Sequence, residues 1–381
     1  ARNSVQLTVS EPEPRSGRRA YARSADALEE WLADETLIQD HAPALYLLDQ
    51  EFEVGGERKL RRACISMLRI EAFGKGCVLA HEETPPGPEK GRLELLRATQ
   101  MNICPVLGLY SDEDGAARAV IDQMAELEPV AMGMTADGVK NVLRVVYHHK
   151  LIDKLIGTLS EKQVVIVDGH HCYEAALAHR DRRRQRQRVP TFDEPHEFIA
   201  AAFVAMDDPG LLIRPTHRLI SGLRPFRPRK FFDKARADYD VEDVPPDASA
   251  ILARLGELDE RHAFGVVTRG GAKVLVRKTG SPRNAAAAHT LDTHVLRRDI
   301  LGGLLALDLG RAPKTGQIGY SENAAECVAA VSHRRADLSV LVNPPRMEEL
   351  EAVVFAGSRM PPKSAAIYPR LPGGIVMAPL I

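Results

Sequence analysis

Val164-Val165-Ile166-Val167-Asp168-Gly169-His170-His171-Cys172-Tyr173-Glu174-Ala175-Ala176-Leu177 carries a short apolar strand straight into an alanine-rich helix, with one glycine between them. A strand that feeds a helix this way marks an α/β protein. Upstream, helical spacing in Ala25 to Leu32 precedes strand-like runs at Ala44 to Leu48, Ala63 to Ile70 and Cys77 to Ala80. The turn Glu83 to Gly91, rich in proline and glycine, interrupts them. A helix from Arg92 to Thr99, a strand from Ile103 to Leu109, a helix from Ala116 to Leu127, a strand from Val142 to Tyr147 and a helix from His149 to Leu159 follow.

Downstream, the helix of the quoted stretch is expected from His170 to Arg180. Strands are expected at Ile199 to Met206 and Leu211 to Ile213, parted by the breaker Asp207-Asp208-Pro209-Gly210. The C-terminal part reads as strands at Gly265 to Thr268, Lys273 to Arg277, Leu338 to Val342 and Gly374 to Met377, with helices at Thr293 to Leu307, Glu322 to His333 and Met347 to Ala356. Gly270-Gly271 reads as a hairpin turn. Strands and helices alternate irregularly, which points to an α/β (α+β) fold with mixed sheets and flanking helices. The prolines at 225 and 228 suggest two domains, 1–225 carrying the Asp-Gly-His-His turn and 226–381 completing its cleft.

The 381 residues are 44% hydrophobic and 5% aromatic, enough to bury a sizeable core. Lys plus Arg (51) balances Asp plus Glu (52), so the formal charge of −1 attracts neither nucleic acid nor anionic lipid globally, and an anion must be bound locally. No apolar run reaches the roughly 20 residues needed to span a bilayer. The scattered cysteines 64, 77, 104, 172 and 327 contain no CxxC pair, which argues against a disulfide framework and a cysteine zinc site and favours a reducing, cytoplasmic setting. The chain starts at Ala1 without an initiator Met, so an upstream piece is expected to be missing. A small-molecule substrate is the expected partner; nucleic acid and membrane are not, and the oligomeric state is left open.

The turn at Gly169 concentrates polar chemistry. The first amides of the following helix have no partner inside it, and the helix dipole adds about half a positive charge there, so an anion is their natural ligand. Asp168 is either the helix cap or, beside phosphates, a Mg2+ ligand. His170 and His171 supply donors or a proton carrier near neutral pH, and Glu174 lies one helical turn on. The plain alternative is an Asp cap with two half-buried polar histidines.

Other groups carry weaker signals. His81-Glu82 stands at a strand end, as a base or metal ligand or as a solvated loop pair. Thr216-His217-Arg218 follows Pro215, which favours an extended approach; Arg218 suits an anion clamp, while His217 alone reads more simply as a structural histidine. Lys363-Ser364 after two prolines is a rigid loop with one cation, or simply solvated. The run Arg180 to Arg188 has no interleaved aromatics and reads as a mobile basic loop. His148-His149 and the pair His289 and His294 do not make a zinc spacing.

These motifs, in this order, resemble the bacterial and archaeal proteins of domain of unknown function 1015. The resemblance covers residues 40 to 381. It rests on His81-Glu82-Glu83-Thr84 with Pro86-Gly87-Pro88, Leu107-Gly108-Leu109-Tyr110-Ser111, Asp168 to Leu177, Asp207 to Leu211 with Pro215-Thr216-His217-Arg218, and Met360-Pro361-Pro362-Lys363-Ser364 with Tyr368-Pro369. The Asp-Gly-His-His turn is similar to the phosphate-binding turn of the ParB/sulfiredoxin-like superfamily, which includes free-serine kinases, and places such an element around residues 140–220.

The resemblance implies phosphoryl transfer to a small hydroxyl acceptor, free L-serine first, from pyrophosphate or a nucleotide (ADP or ATP) with Mg2+. The alternative is a regulatory protein that binds phosphate or nucleotide without turnover. Under the first reading Asp168 and Glu82 are metal ligand or base and His170 and His171 meet the phosphates. Arg218 and Lys363 neutralise charge, and Thr216 and His217 position the acceptor, with His81, Gly169, Glu174 and Ser364 completing the site. Three positions depart from the pattern: Cys172 and Glu83 stand where an Arg is usual, and Ala365 where a Thr is usual. The Pro-Tyr-Asp segment usual near the start is absent.

Overall fold

A computed structural model describes residues 3–8, 21–84, 87, 89–187, 189, 191–278 and 291–380. The chain divides into two compact units: Ala1–Ala80, Thr84–Leu212 and Pro369–Ile381 form the first, and His81–Glu83 with Ile213–Tyr368 the second. The parting therefore lies ahead of the proline-rich stretch at 225–228 rather than in it, and two further segments cross between the units. Pro228 opens a helix, where its missing N–H leaves no bond unmade.

The first unit opens with helices α1 (Val5–Thr8) and α2 (Ala22–Ala33) and the strands β1 (Leu45–Val54) and β2 (Glu57–Arg69). Val54 pairs with Glu57, so the hairpin loop is Gly55-Gly56, and both glycines take the positive φ (63° and 82°) that a tight two-residue turn requires. Next come β3 (Val78–Ala80), α3 (Glu89–Thr99), β4 (Met101–Asn102), β5 (Val106–Tyr110), α4 (Ala116–Ala125), β6 (Ala131–Met134), β7 (Lys140–Val146), α5 (His149–Leu159), β8 (Val164–Asp168), α6 (His170–Arg184) and β9 (Phe198–Ala205).

Eight of these strands form one sheet in the order β3-β8-β5-β9-β2-β1-β7-β6. It is mixed: β3 with β8 and β5 with β9 run parallel, the other pairs antiparallel. Its core joins Leu47, Val106, Ile166 and Ala201 of the strands to Val120 and Met124 of α4, Leu155 of α5 and Tyr173 of α6. Removing each of the Leu, Val, Ile and Met side chains among them from water is worth about 1.5–3 kcal/mol. At the Asp207 to Gly210 turn the Asp208 carboxylate accepts the amides of Arg62 (3.2 Å) and Gly210 (2.8 Å). A Cβ on Gly210 would lie 2.3 Å from the Leu60 carbonyl carbon, so only glycine allows this approach.

The second unit contains β10 (Leu212–Pro215), β11 (His217–Ile220), α7 (Pro228–Ala235), β12 (Tyr239–Val244), α8 (Ala248–Gly256), β13 (Ala263–Thr268), β14 (Gly271–Arg277), α9 (Asp292–Val295) running into a π-helix (Leu296–Leu304), β15 (Ile318–Ser321), α10 (Ala324–Ser332), β16 (Leu338–Leu341), α11 (Met347–Phe355) and β17 (Ala365–Tyr368). Its six-stranded sheet, β12-β14-β13-β16-β11-β15, is antiparallel throughout. Alternating side chains feed both faces. Phe264 and Val266 join Phe231 and Phe232 of α7 and Ile300 of the π-helix, while Ala263 and Val267 join Ile251 of α8 and Cys327 of α10. β10 pairs with β17. The chain then returns to the first unit, where β18 (Ala378–Pro379) pairs with β4.

The α/β reading with a mixed sheet stands. Three local expectations are corrected. Ile103 to Leu109 is not one strand: only Val106 onward belongs to β5, because Pro105 cannot donate to a ladder, and the strand before it, β4, ends at Asn102. Gly374 to Met377 is a turn, and the last pairing falls on Ala378–Pro379 instead. The basic run is helical as far as Arg184, since arginine is a good helix former and nothing before Gln185 stops α6. Arg180 is buried with Nη1 donating to the Ile70 carbonyl, and Arg184 pairs with Glu197, so these two are structural. Arg188 lies outside the described residues, as do Pro86, Pro88 and His289. No helix among the described residues is long and apolar enough to cross a membrane.

Candidate functional site

In the first unit, β8 ends at Asp168 and α6 begins at His170, with Gly169 between them at φ 84°. That conformation suits glycine and strains other residues. Space gives a second reason: a Cβ on Gly169 would meet Val106 Cγ1 at 2.9 Å and Val106 Cα at 3.2 Å. β5 thus backs the turn, and its register with β8 slips between Leu107 and Gly108, opposite Asp168. The Gly169 carbonyl accepts the amides of Cys172 (2.9 Å) and Tyr173 (3.0 Å), closing the first turn of α6. The amides of His170 and His171 have no acceptor inside the helix, and no side chain caps it.

Asp168 is therefore not the cap of α6. Its Oδ1 accepts the Gly169 amide at 2.8 Å, and its Oδ2 lies 3.7 Å from Nη1 of Arg370. The two histidines diverge in environment. His170 is buried, its ring 6.4 Å from that of Phe73, which in turn stacks on Tyr173. His171 is half-buried, with Nδ1 3.3 Å from Glu174 Oε2. Thr84 donates to Glu174 Oε1 at 2.5 Å. Glu89, the first residue of α3, joins this pair: ligand atoms of Glu89, His171 and Glu174 all lie within 4.8 Å of one another.

Three arginines of this unit escaped the sequence reading. Arg61 is fully buried on β2, donates to Gln50, and leaves Nε and Nη1 without partners. Burial lowers its pKa to about 10, opposed by the Asp208 and Asp168 carboxylates. A buried guanidinium with bare N–H groups is costly by itself, and its charge is felt at Asp208 and Asp168. Arg92 of α3 lies against Cys172, with which it lines a small cavity of about 40 Å3. Burial pushes the Cys172 thiol up to about 11, so position 172 carries no charge of its own. Arg370 faces Asp168. Only a spatial neighbour list reveals these residues, because 61, 92 and 370 are far from 168 in sequence.

The remaining expected residues belong to the second unit. His81 and Glu82 are both buried, with His81 Nε2 3.7 Å from Glu82 Oε2, so they are not a solvated loop pair. Residues 81–83 pair with Met360: the Met360 amide donates to the His81 carbonyl (2.8 Å) and the Glu83 amide to the Met360 carbonyl (2.9 Å). Glu82 Oε2 also accepts the Ser364 amide at 3.3 Å. Ser364 is buried, its hydroxyl donating to the Pro361 carbonyl (2.6 Å) and bonded to Thr293 (3.0 Å). Lys363 is exposed at φ 60°.

Arg218 donates from Nη1 to the Thr216 carbonyl and from Nη2 to the Lys363 carbonyl, and packs over the Tyr320 ring at 4.9 Å. Those bonds hold β11 to the Lys363 loop, so the clamp expected at Arg218 has two of its nitrogens engaged. His217 Nδ1 accepts the Val342 amide at 3.2 Å, and burial lowers its pKa to about 4. It is a neutral structural histidine here. Thr216 is buried beside them. Glu83 stands 3.6 Å from Arg297, which brings a guanidinium next to the His-Glu pair.

Residues 1–296 match the family model "Protein of unknown function (DUF1015)". The chain belongs to this family. Among curated proteins none matches it. Solved structures similar to this DUF1015 chain include a conserved hypothetical protein from Pyrococcus furiosus, with 12% identity over 83% of this chain and 95% of that one and a TM-score of 0.42. A free serine kinase variant in complex with ADP aligns at 12% identity over 84% of this chain and 93% of the other, with a TM-score of 0.43. SbnI with a C-terminal truncation, from Staphylococcus aureus, aligns at 11% identity over 83% and 87%, with a TM-score of 0.40.

Proposed function

We propose that this DUF1015 protein is a phosphotransferase that moves a phosphoryl group to a small hydroxyl acceptor, free L-serine, from pyrophosphate or a nucleotide such as ADP or ATP. The observation that carries the reading is the start of α6 after Gly169, which no side chain caps and where the His171 imidazole and the macrodipole favour an anion. Donor phosphate oxygens accept from the first amides of α6, that of His171 among them. Asp168, the residue before the turn, would hold a Mg2+ that neutralises charge on the donor phosphates. The acceptor oxygen attacks phosphorus as the bond to the leaving phosphate breaks, and a carboxylate takes the hydroxyl proton. On this reading segment 140–220, which holds the turn, is the ParB/sulfiredoxin-like element. A reducing, cytoplasmic setting agrees with the free thiols at 64, 77, 104, 172 and 327.

Incubating the chain with L-serine, Mg2+ and each donor in turn is expected to give phosphoserine with one of pyrophosphate, ADP or ATP. No product with any donor would remove the enzyme reading. One observation favours a second reading, binding without turnover: position 172 offers an uncharged thiol to the turn instead of a guanidinium. Tight pyrophosphate or nucleotide binding in a calorimeter, with no phosphoserine, would select that reading.

A further inference from the structure

We propose that Glu89, His171 and Glu174 bind a divalent first-row transition-metal cation, Mn2+ or Zn2+. The three residues come from two helices that pack on each other, α3 and α6. His171 and Glu174 are three residues apart and so share one face of the first turn of α6. Glu89 opens α3 and brings its carboxylate to the same point. Thr84 fixes Glu174 through Oε1, leaving Oε2 beside the imidazole, the outer support that orients a metal-ligating carboxylate. The Gly87 amide holds Glu89 in the same way.

Glu89 accepts the Gly87 amide at the start of its own helix, and its carboxylate still reaches the His171–Glu174 pair. One imidazole carries at most one positive charge, and two carboxylates converging on one half-buried ring leave an excess of negative charge that a dication neutralises. Ligand chemistry then narrows the cation. Mg2+ and Ca2+ take oxygen shells, whereas an imidazole with two carboxylates suits Mn2+, Fe2+ or Zn2+. Three protein ligands leave positions open for water or a substrate oxygen, and the partial exposure of His171 (30%) and Glu174 (27%) gives an aqueous ion access. This site shares the α6 turn with the function proposed above, but it stands without that reaction.

Calorimetry and electron paramagnetic resonance on the metal-free full chain test it, with Mn2+ as the first probe because thiolates hold it poorly. One Mn2+ per chain is expected to bind, with Mg2+ at least tenfold weaker. Glu89→Gln, His171→Gln and Glu174→Gln should each lower the affinity roughly tenfold or more, with circular dichroism checking that each variant is folded. Absence of stoichiometric Mn2+ and Zn2+ binding overturns the proposal, as does equal affinity for Mg2+, or a folded Glu89→Gln chain that binds Mn2+ like the parent. Failure here and failure of the proposed function are separable: phosphoserine formed by a chain that binds no Mn2+ sinks only this site, and Mn2+ bound by a chain that forms no phosphoserine spares it.

Discussion

Gly169→Ala is expected to lower stability by about 2–4 kcal/mol and to abolish anion binding at the turn. Two costs combine. A non-glycine residue held at φ 84° is strained by about 1–3 kcal/mol. The new methyl also meets Val106 at 2.9–3.2 Å, and part of that contact is backbone, which cannot rotate away. Either relaxation moves the β8-α6 junction and turns the first amides of α6 from their common target. Gly133 is the control: it lies on the exposed strand β6, and a Cβ there meets nothing within 4 Å. Urea unfolding followed by circular dichroism reads both variants. A Gly169→Ala chain as stable as Gly133→Ala, still binding pyrophosphate, would show that the turn does not need its glycine.

Mild acid is the second large effect. Burial, reinforced by Arg183, His196, Arg97 and Arg182, lowers the pKa of His179 to about 4; burial and Arg218 do the same for His217. Between pH 6.5 and 4 the unfolded chain therefore binds protons at these positions that the folded chain refuses. Stability falls as pH drops through that window and loses nothing more from these groups below it. Each histidine accounts for on the order of 3 kcal/mol across the window. His217 adds a specific loss, since a proton on Nδ1 removes the acceptor for the Val342 amide. Urea midpoints measured from pH 7 to pH 4 should fall for the parent and fall less for His179→Gln. Identical slopes in parent and variant would place His179 outside the acid response.

Much of the first unit was legible because its elements are strongly patterned. The α5 expectation, His149 to Leu159, matches the structure at both ends. β8 and α6 are recognisable from a continuous apolar run meeting Gly169 and an alanine-rich periodicity. The second unit hid better. β12, Tyr239–Val244, reads Tyr-Asp-Val-Glu-Asp-Val, an acidic edge strand whose conformation comes from its pairing with β14. α7 lies just past the prolines at 225 and 228, and its stripe of Phe231, Phe232 and Ala235 is too short to stand out as a period in the sequence. At the site, the local part of the turn was readable, because Asp168, Gly169, His170, His171 and Glu174 are sequence neighbours. Glu89, Arg61, Arg92 and Arg370 were not, since tertiary folding alone brings them near. The same limit applied to His217 and Arg218, whose residue types suit catalysis while their partners, the Val342 amide and two carbonyls, make them structural.

The most direct test is to follow the turn's own amides while pyrophosphate is added. The chain has 13 histidines, so selective 15N-histidine labelling gives a sparse spectrum in which His170 and His171 are assigned by His170→Gln and His171→Gln. Saturable shifts of those two signals, at concentrations where calorimetry detects binding, are the expected result. Pyrophosphate that binds while both signals stay in place, or that does not bind, would contradict an anion seat at the start of α6.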